Sequence, residues 1–168
     1  MKKNNVSGFT LIELLVSIAI IVVLTSVVIV AINEAKDKNV DAAIKQALSS
    51  IPAQSELYAH SNGMKYYVSG TNHLCHQTAT GSAYPIVLNA ARNYGLSSVT
   101  VNNTPLGQTS LTRATCNTIV NAWAVEVPLR NKNVGGTGKS NMFCVDSTGF
   151  IGTRSTSMGA GSTACPSE

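Results

Sequence analysis

The N-terminal part of the chain contains an uncharged apolar run that is long enough to cross a lipid bilayer. Residues 14–32 include no charged residue, glycine or proline and consist mainly of Leu, Ile, Val and Ala. As an α-helix rising ~1.5 Å per residue, this run would extend roughly 28 Å, close to the thickness of the hydrocarbon core. Lys2 and Lys3 precede it, so the positive-inside rule predicts a cytoplasmic N-terminus and an exported remainder.

A single acid, Glu13, stands at the cytoplasmic margin of the apolar run, after the largely apolar residues 9–12. A carboxylate without a partner in such a place costs on the order of 2–3 kcal/mol, so it marks a functional site by default. A plain single-pass anchor gives no reason for this residue. The acid therefore indicates a role beyond anchoring.

The residues around Glu13 resemble the processing site of class III signal sequences, which occur in type IV pilins and pseudopilins. The segment is Ser7-Gly8-Phe9-Thr10-Leu11-Ile12-Glu13-Leu14. The resemblance implies a basic leader of residues 1–8, which a prepilin peptidase removes by cutting between Gly8 and Phe9 before methylating the new amine. Glu13 would then be the fifth mature residue, where the family keeps its glutamate.

Cleavage would create an ammonium group at Phe9, about one helical turn from the Glu13 carboxylate. The two charges can neutralise each other within one chain, or Glu13 can pair with the Phe9 amine of the subunit ahead. Because an unpaired charge is costly in a low-dielectric helix bundle, only the correct axial stagger satisfies both groups. Phe9 and Glu13 are therefore the predicted assembly residues of a helical homopolymer.

The apolar run departs from the family pattern at two positions. Many relatives carry a helix-breaking glycine or proline in the apolar half, where this chain has Val22 and Val30. Their filaments often have a melted stretch in that region. This sequence supplies no glycine or proline for one.

Beyond the apolar run, the sequence predicts that the same helix continues with an amphipathic character. Its apolar residues recur at helical spacing, with charged residues on the other faces: Val40, Ile44, Leu48 and Ile51. Pro52 is expected to kink or disturb this helix, since proline removes a helical hydrogen bond. The Asn62-Gly63 pair is a turn and stop signal.

The C-terminal part predicts a small head with one helix and several strands. Residues 85–95 have proline near a helix start and glycine after its end. Turn residues separate the predicted strands, which are 98–102, 110–115, 122–129, 141–146 and 149–153. The last three indicate an antiparallel meander, which is similar to the C-terminal sheet of pilins and pseudopilins.

The predicted fold class is α+β, a pilin-like lollipop in which a long N-terminal helix packs on a small antiparallel sheet. Its segments are the leader 1–8, the membrane-spanning and filament-core half 9–32, the amphipathic half 33–60 and the disulfide-bonded head 61–168.

Four cysteines lie beyond the export-type segment, and their even number predicts two disulfides formed outside the cytosol. Three pairings are possible, and no pair has the Cys-x2-Cys spacing of a structural zinc site. We favour Cys75–Cys116 with Cys144–Cys165, since family members often tie the C-terminal tail to the last sheet as the second pair would.

We predict no enzyme, no cofactor and no metal site. No Gly-x-Ser-x-Gly, paired acids or His-Glu-x-x-His is present. His73 and His76 flank Cys75 but have no second ligand cluster, and Asp146 has too few acids around it for calcium. The net charge of +4 includes Lys2 and Lys3 of the leader, so the basic excess is too small to indicate nucleic acid as a partner.

The resemblance implies a structural subunit of an extracellular filament for adhesion, motility or surface contact. Two alternatives are a pseudopilin of a type II secretion system and a competence-type pilin that binds DNA. The precursor would be single-pass in the inner, cytoplasmic membrane before it reaches the cell surface. Its implied partners are the lipid bilayer before assembly, prepilin peptidase, a membrane platform, a cytoplasmic assembly ATPase, minor pilins and further copies of itself.

Overall fold

The computed structural model describes residues 8–101, 112–131, 141–159 and 161–166 of the 168-residue chain, without the side chain of Val30. The residue contacts divide the chain into two compact units, Met1–Lys36 and Asp37–Glu168. In the described part of the first unit, a single helix begins at Leu11. The second unit contains the rest of that helix, two further helices and the described strands.

Helix α1 runs from Leu11 to Ser49 without interruption. It contains neither glycine nor proline, so no residue inside it breaks the backbone hydrogen-bond ladder. Three hydroxyls in its apolar half donate to carbonyl oxygens of the preceding turn at 2.6–3.0 Å, and they belong to Ser17, Thr25 and Ser26. These bonds give the three hydroxyls partners inside the helix, as a helix in apolar surroundings would need.

Helix α2, Ile51–Ser61, follows α1 after a break at Ser50. Pro52 lies in the first turn of α2, where its missing N–H has no helical partner to lose. The expected disturbance at Pro52 is therefore a new helix start. The predicted stop is confirmed, because α2 ends at Ser61, Asn62 follows as its C-cap residue and Gly63 has a φ of +67°.

Helix α3 confirms the predicted head helix. It spans Tyr84–Tyr94, with Pro85 in its first turn. Gly95 ends it with a φ of +113°, a left-handed conformation that favours glycine. The Gly95 N–H donates to the carbonyl oxygens of Ala91 and Arg92, so the last turn keeps its partners.

The described strands form two sheets. A short hairpin joins β1 (Tyr67–Ser69) to β2 (Asn72–His73). A five-stranded sheet has the order β3-β4-β5-β6-β7, and its strands are Val99–Val101, Ala114–Thr118, Trp123–Leu129, Asn141–Asp146 and Ile151–Arg154. The meander of β5, β6 and β7 is antiparallel, as predicted.

The sheet differs from the prediction in three respects. The sequence predicts strand β4 at 110–115, whereas the strand runs from Ala114 to Thr118; residues 102, 110 and 111 of the predicted strands lie outside the described residues. Strands β3 and β4 pair in parallel, whereas an antiparallel sheet was expected. The β1–β2 hairpin was not predicted, since strands this short carry little periodicity.

Both faces of the central strands are buried. On β5, Trp123, Val125 and Val127 join the core formed with the helices, and this side is called the inner face. Ala124 and Glu126 point to the opposite side, the outer face, as strand alternation requires. Residues 155–166, here called the C-terminal tail, hydrogen-bond to this outer face through the contacts described below.

Two disulfides link the second unit, and their pairs are those favoured above. Cys75–Cys116 has a Cα–Cα distance of 5.6 Å, and Cys144–Cys165 has one of 5.9 Å. Their sequence separations of 41 and 21 residues correspond to roughly 3–4 kcal/mol of stabilisation each in the chain-entropy model.

A buried acid of α1 anchors the end of strand β5. The Asp41 carboxylate accepts hydrogen bonds from the backbone N–H groups of Arg130 at 2.7 Å and Asn131 at 3.0 Å. The Arg130 guanidinium in turn donates to the Tyr94 carbonyl oxygen at 3.0 Å. One carboxylate thus satisfies two amides where the sheet strand ends.

We expect Asp41→Asn to lower the free energy of unfolding by about 1–3 kcal/mol, because the two N–H groups bond to different oxygens of Asp41 and the Asn NH2 group would face one of them. The matched control is Asp37→Asn, whose exposed carboxylate lies 3.8 Å from the Arg130 guanidinium; it should cost no more than about 0.5 kcal/mol. Denaturation of the full chain in detergent micelles, followed by the buried Trp123, measures both. Equal losses would contradict the anchoring role of Asp41.

Candidate functional site

Thr10 and Glu13 cap the N-terminus of α1 through reciprocal hydrogen bonds. The Thr10 N–H and hydroxyl both donate to Oε2 of Glu13, at 2.9 and 2.7 Å. The Thr10 hydroxyl oxygen accepts the Glu13 N–H at 3.4 Å. This arrangement is a capping box, in which a Thr and a Glu three residues later satisfy each other's backbone N–H groups.

The capping box gives Glu13 a partner within its own chain. Its carboxylate also lies in the first turn, where the helix dipole favours a negative charge. Both bonds from Thr10 reach the same oxygen, so Oε1 of Glu13 has no hydrogen-bond donor among the described residues. Oε2 therefore accepts the bonds of the cap, and Oε1 can accept a bond from a further donor.

Thr10 is the site residue that the sequence analysis missed. The signal was present as Thr10-Leu11-Ile12-Glu13, a Thr-x-x-Glu pattern directly before an apolar run. The resemblance around Gly8 and Phe9 indicates Glu13 as an assembly charge, whereas its role in the cap depends on the Thr10 side chain.

Gly8 and Phe9 lie before α1 begins. The peptide bond between them is outside the helix, and the Phe9 side chain is 76% exposed. A Cβ built on Gly8 would meet no atom within 4 Å. The backbone around this bond is therefore open to another molecule.

The described part of α1 before Asn33 exposes apolar side chains on every side. Its large apolar residues from Leu11 to Ile32 are between 45% and 81% exposed. By length and composition, this is the one helix among the described residues that could span a membrane, and its apolar window is not buried. A core helix of a soluble protein would be mostly buried, so this surface requires lipid or other apolar helices.

The histidines considered as metal ligands lie side by side in the second unit. The His73 ring stacks on Tyr67 at 5.3 Å and meets the edge of His76 at 5.2 Å. Nδ1 of His76 accepts the Thr78 N–H at 3.2 Å. Burial of the His73 ring lowers its pKa, and the nearby His76 lowers it further. Within the described ranges, no group of three or more metal-ligating side chains occurs.

Asp146, considered for calcium, is occupied by the protein itself. Its carboxylate accepts the Thr148 hydroxyl at 2.6 Å and the N–H groups of Cys165 at 2.7 Å, Thr148 at 2.9 Å and Phe150 at 3.3 Å. Burial alone would raise the pKa of Asp146, but these hydrogen bonds outweigh it and hold the pKa below its usual value. Asp146 therefore holds the turn of residues 147–150 and the tail at Cys165. Few of its lone pairs remain for a cation.

We expect Thr10→Val to weaken the first turn of α1, because it removes the hydroxyl that accepts the Glu13 N–H. Loss of such a cap costs about 0.5–2 kcal/mol. Hydrogen exchange at the amides of residues 11–14, measured on the full chain in detergent micelles, reports this change. Thr10→Ser keeps the hydroxyl and should retain wild-type protection. If Thr10→Val also retained it, the capping role would be ruled out.

Comparison with known proteins identifies the N-terminal region. A family model described as the prokaryotic N-terminal methylation motif matches residues 3–31. The match includes Gly8, Phe9, Glu13 and nearly all of the apolar run. None of the curated proteins or solved structures compared with the chain matches it. The chain therefore carries the class III signal of type IV pilins and pseudopilins at its N-terminus.

Proposed function

We propose that this chain is a structural subunit of a type IV pilus-like filament, assembled from the inner membrane through α1. The apolar exposed surface of residues 11–32, joined to the methylation motif, is the observation that supports this best. Such a surface is stable in lipid, and it is equally stable against other apolar helices. Membrane storage and filament packing can therefore use the same side chains.

In this proposal, a prepilin peptidase cuts between Gly8 and Phe9 and methylates the Phe9 amine. The position of this bond before the first helical residue supports the assignment, since a peptidase needs backbone that is not held in a helical ladder. Residues 1–8 then leave as the leader. Phe9 becomes a positively charged terminus beside the capping box.

The new ammonium has two possible acceptors of the same kind. It can reach Glu13 of its own chain, or Glu13 of a neighbouring subunit. The capping box supports the second pairing, because Thr10 uses only Oε2 and leaves Oε1 for an outside donor. A chain can then keep its helix cap while its Glu13 pairs with the next subunit. Such a charge pair forms at one axial stagger only, which defines the subunit register.

The exported head forms the filament surface, where it serves adhesion, motility or surface contact. Moving the apolar helix out of lipid requires work, for which a membrane platform and a cytoplasmic assembly ATPase are the proposed partners. Minor pilins are proposed to join the same filament. A pseudopilin would carry the same N-terminal motif, so the two roles are separated by where the fibre forms.

The first test is the mass of the mature N-terminus. We expect the protein from assembled fibres to begin at Phe9 with one added methyl group. The matched variant is Gly8→Val. A valine side chain at this position has open space and should leave α1 unchanged. We expect this variant to accumulate as the uncut precursor. A wild-type chain that retained Met1 would overturn the proposal.

The second test removes the charge of Glu13. Glu13→Gln keeps an oxygen for the Thr10 donors but cannot pair with an ammonium, so we expect normal cleavage and at least about tenfold fewer fibres, the equivalent of about 1.4 kcal/mol. Ser17→Ala, one turn further along the same helix, should leave the fibre yield unchanged.

Electron microscopy of sheared surface fibres, with an antibody against this chain, gives the yield. Labelled surface fibres at wild-type levels in Glu13→Gln would exclude the register role. Cleaved wild-type protein with no surface fibres would instead identify the chain as a pseudopilin.

A further inference from the structure

The outer face of the five-stranded sheet contains a buried acid that neither processing nor assembly uses. Glu126 lies in the middle of β5, the central strand, and points towards the C-terminal tail. It is 1% exposed. Strand alternation would allow a solvated acid here, but residues 157 and 158 of the tail contact it instead.

The donors that reach Glu126 come mainly from the tail. The Ser157 hydroxyl donates to Oε1, and the Met158 N–H donates to Oε2 at 2.8 Å. The Thr115 side chain, on the neighbouring strand β4, contributes a further hydrogen bond. The Met158 side chain is itself buried against Ala124 and Cys144. This part of the tail thus rests on one carboxylate and one small apolar cluster.

The described groups that hydrogen-bond to Glu126 are all neutral. Two charged side chains share the outer face, Asp146 on β6 and Arg154 on β7, as the strand register shows. The Arg154 guanidinium lies 3.8 Å above the Phe150 ring. Among the described residues, no cation forms a hydrogen bond or an ion pair with Glu126. An ionised Glu126 therefore has donors but no neutralising charge.

The far end of the tail is fastened differently. The Asn117 side-chain amide donates to the Ser162 carbonyl oxygen at 2.8 Å, and the Cys165 N–H donates to Asp146 at 2.7 Å. The Cys144–Cys165 disulfide then makes this attachment covalent. Among the described residues of the tail, Ser157 and Met158 are the ones that hydrogen-bond to Glu126.

We propose that residues 155–159 form a proton-controlled clasp, which closes firmly over the outer face when Glu126 is protonated and loosens when Glu126 is ionised. Opening the clasp returns the carboxylate to water, which relieves the cost of a buried unpaired charge. Protonation removes that cost without breaking the contacts. The Ser157 hydroxyl can accept a hydrogen bond as well as donate one, and Oε2 can still accept the Met158 N–H.

The direction of the pH dependence follows from burial. Burial raises the pKa of Glu126 in the closed form, against the lowering effect of its hydrogen bonds from Ser157, Met158 and Thr115. The closed form therefore binds the proton more tightly than the open form. Its extra stability is fully present below the ordinary glutamate pKa and is lost as the pH rises through the raised value. Asp146, with its lowered pKa, has the opposite dependence, so the far end stays attached.

Hydrogen exchange at the Met158 amide tests the clasp directly. The full oxidised chain in neutral detergent micelles is measured from about pH 5 to about pH 8, with correction for the intrinsic exchange rate. We expect Met158 protection to fall as the pH rises, by up to ~10-fold for each unit that separates the closed and open pKa values. The Cys165 amide, bonded to Asp146, should not follow this fall.

Glu126→Gln isolates the proton, because it keeps the shape and the acceptor oxygen but cannot ionise. We expect its Met158 protection to stay at the wild-type acid level across the whole range. The matched control Asp146→Asn should alter Cys165 protection and leave the pH dependence at Met158 in place. Wild-type Met158 protection that is constant or rises with pH would overturn the proposal, as would an unchanged pH dependence in Glu126→Gln.

A carboxyl carbon NMR titration of Glu126 in the wild-type chain provides a test that does not depend on the variant. We expect the carboxyl signal and the Met158 amide signal to change with the same midpoint, above the ordinary glutamate range. A carboxyl that titrates within or below that range would refute the clasp, whatever the variants do.

Discussion

Helix α1 must satisfy its backbone polar groups internally wherever its apolar half is surrounded by lipid or by other apolar helices. The absence of glycine and proline preserves the ladder, and the hydroxyls inside it bond to carbonyls of the preceding turn. The first turn is the weak point of any helix, since its N–H groups have no helical acceptor. The Thr10–Glu13 capping box supplies an acceptor there, through the residue whose charge we propose to pair subunits during assembly.

The second unit meets a different constraint, because its central strands are buried on both faces. Helices cover the inner face and the C-terminal tail covers part of the outer face. Each face has its own disulfide, through Cys116 on the inner side and Cys144 on the outer side. The inner face is apolar, whereas the outer face uses carboxylates and amides to hold a tail that has few apolar side chains. Hydrogen bonds to Glu126 and Asp146 therefore hold the tail on the outer face, whereas apolar packing holds the helices on the inner face.

Much of this architecture could be predicted from local sequence signals. The apolar run, the helix ends at Pro85 and Gly95 and the limits of β6 follow from residue types within a few positions. The parallel pairing of β3 with β4 could not, because strand direction depends on contacts far apart in the chain. The burial of Glu126 was hidden for a similar reason, since an acid at an alternate strand position indicates solvent until a distant tail is placed over it.

If the chain folds as it is exported, as proposed above, the arrangement of the disulfides sets the order in which they can form. The bond that fastens the inner side can close once Cys116 has emerged into an oxidising compartment. The bond that fastens the tail needs Cys165, which follows every strand of the sheet. Until Cys165 emerges, the tail does not cover the outer face, and Cys144 has no Cys165 to pair with. In such an exported chain, the Cys144–Cys165 bond can therefore form only after all the described strands have emerged.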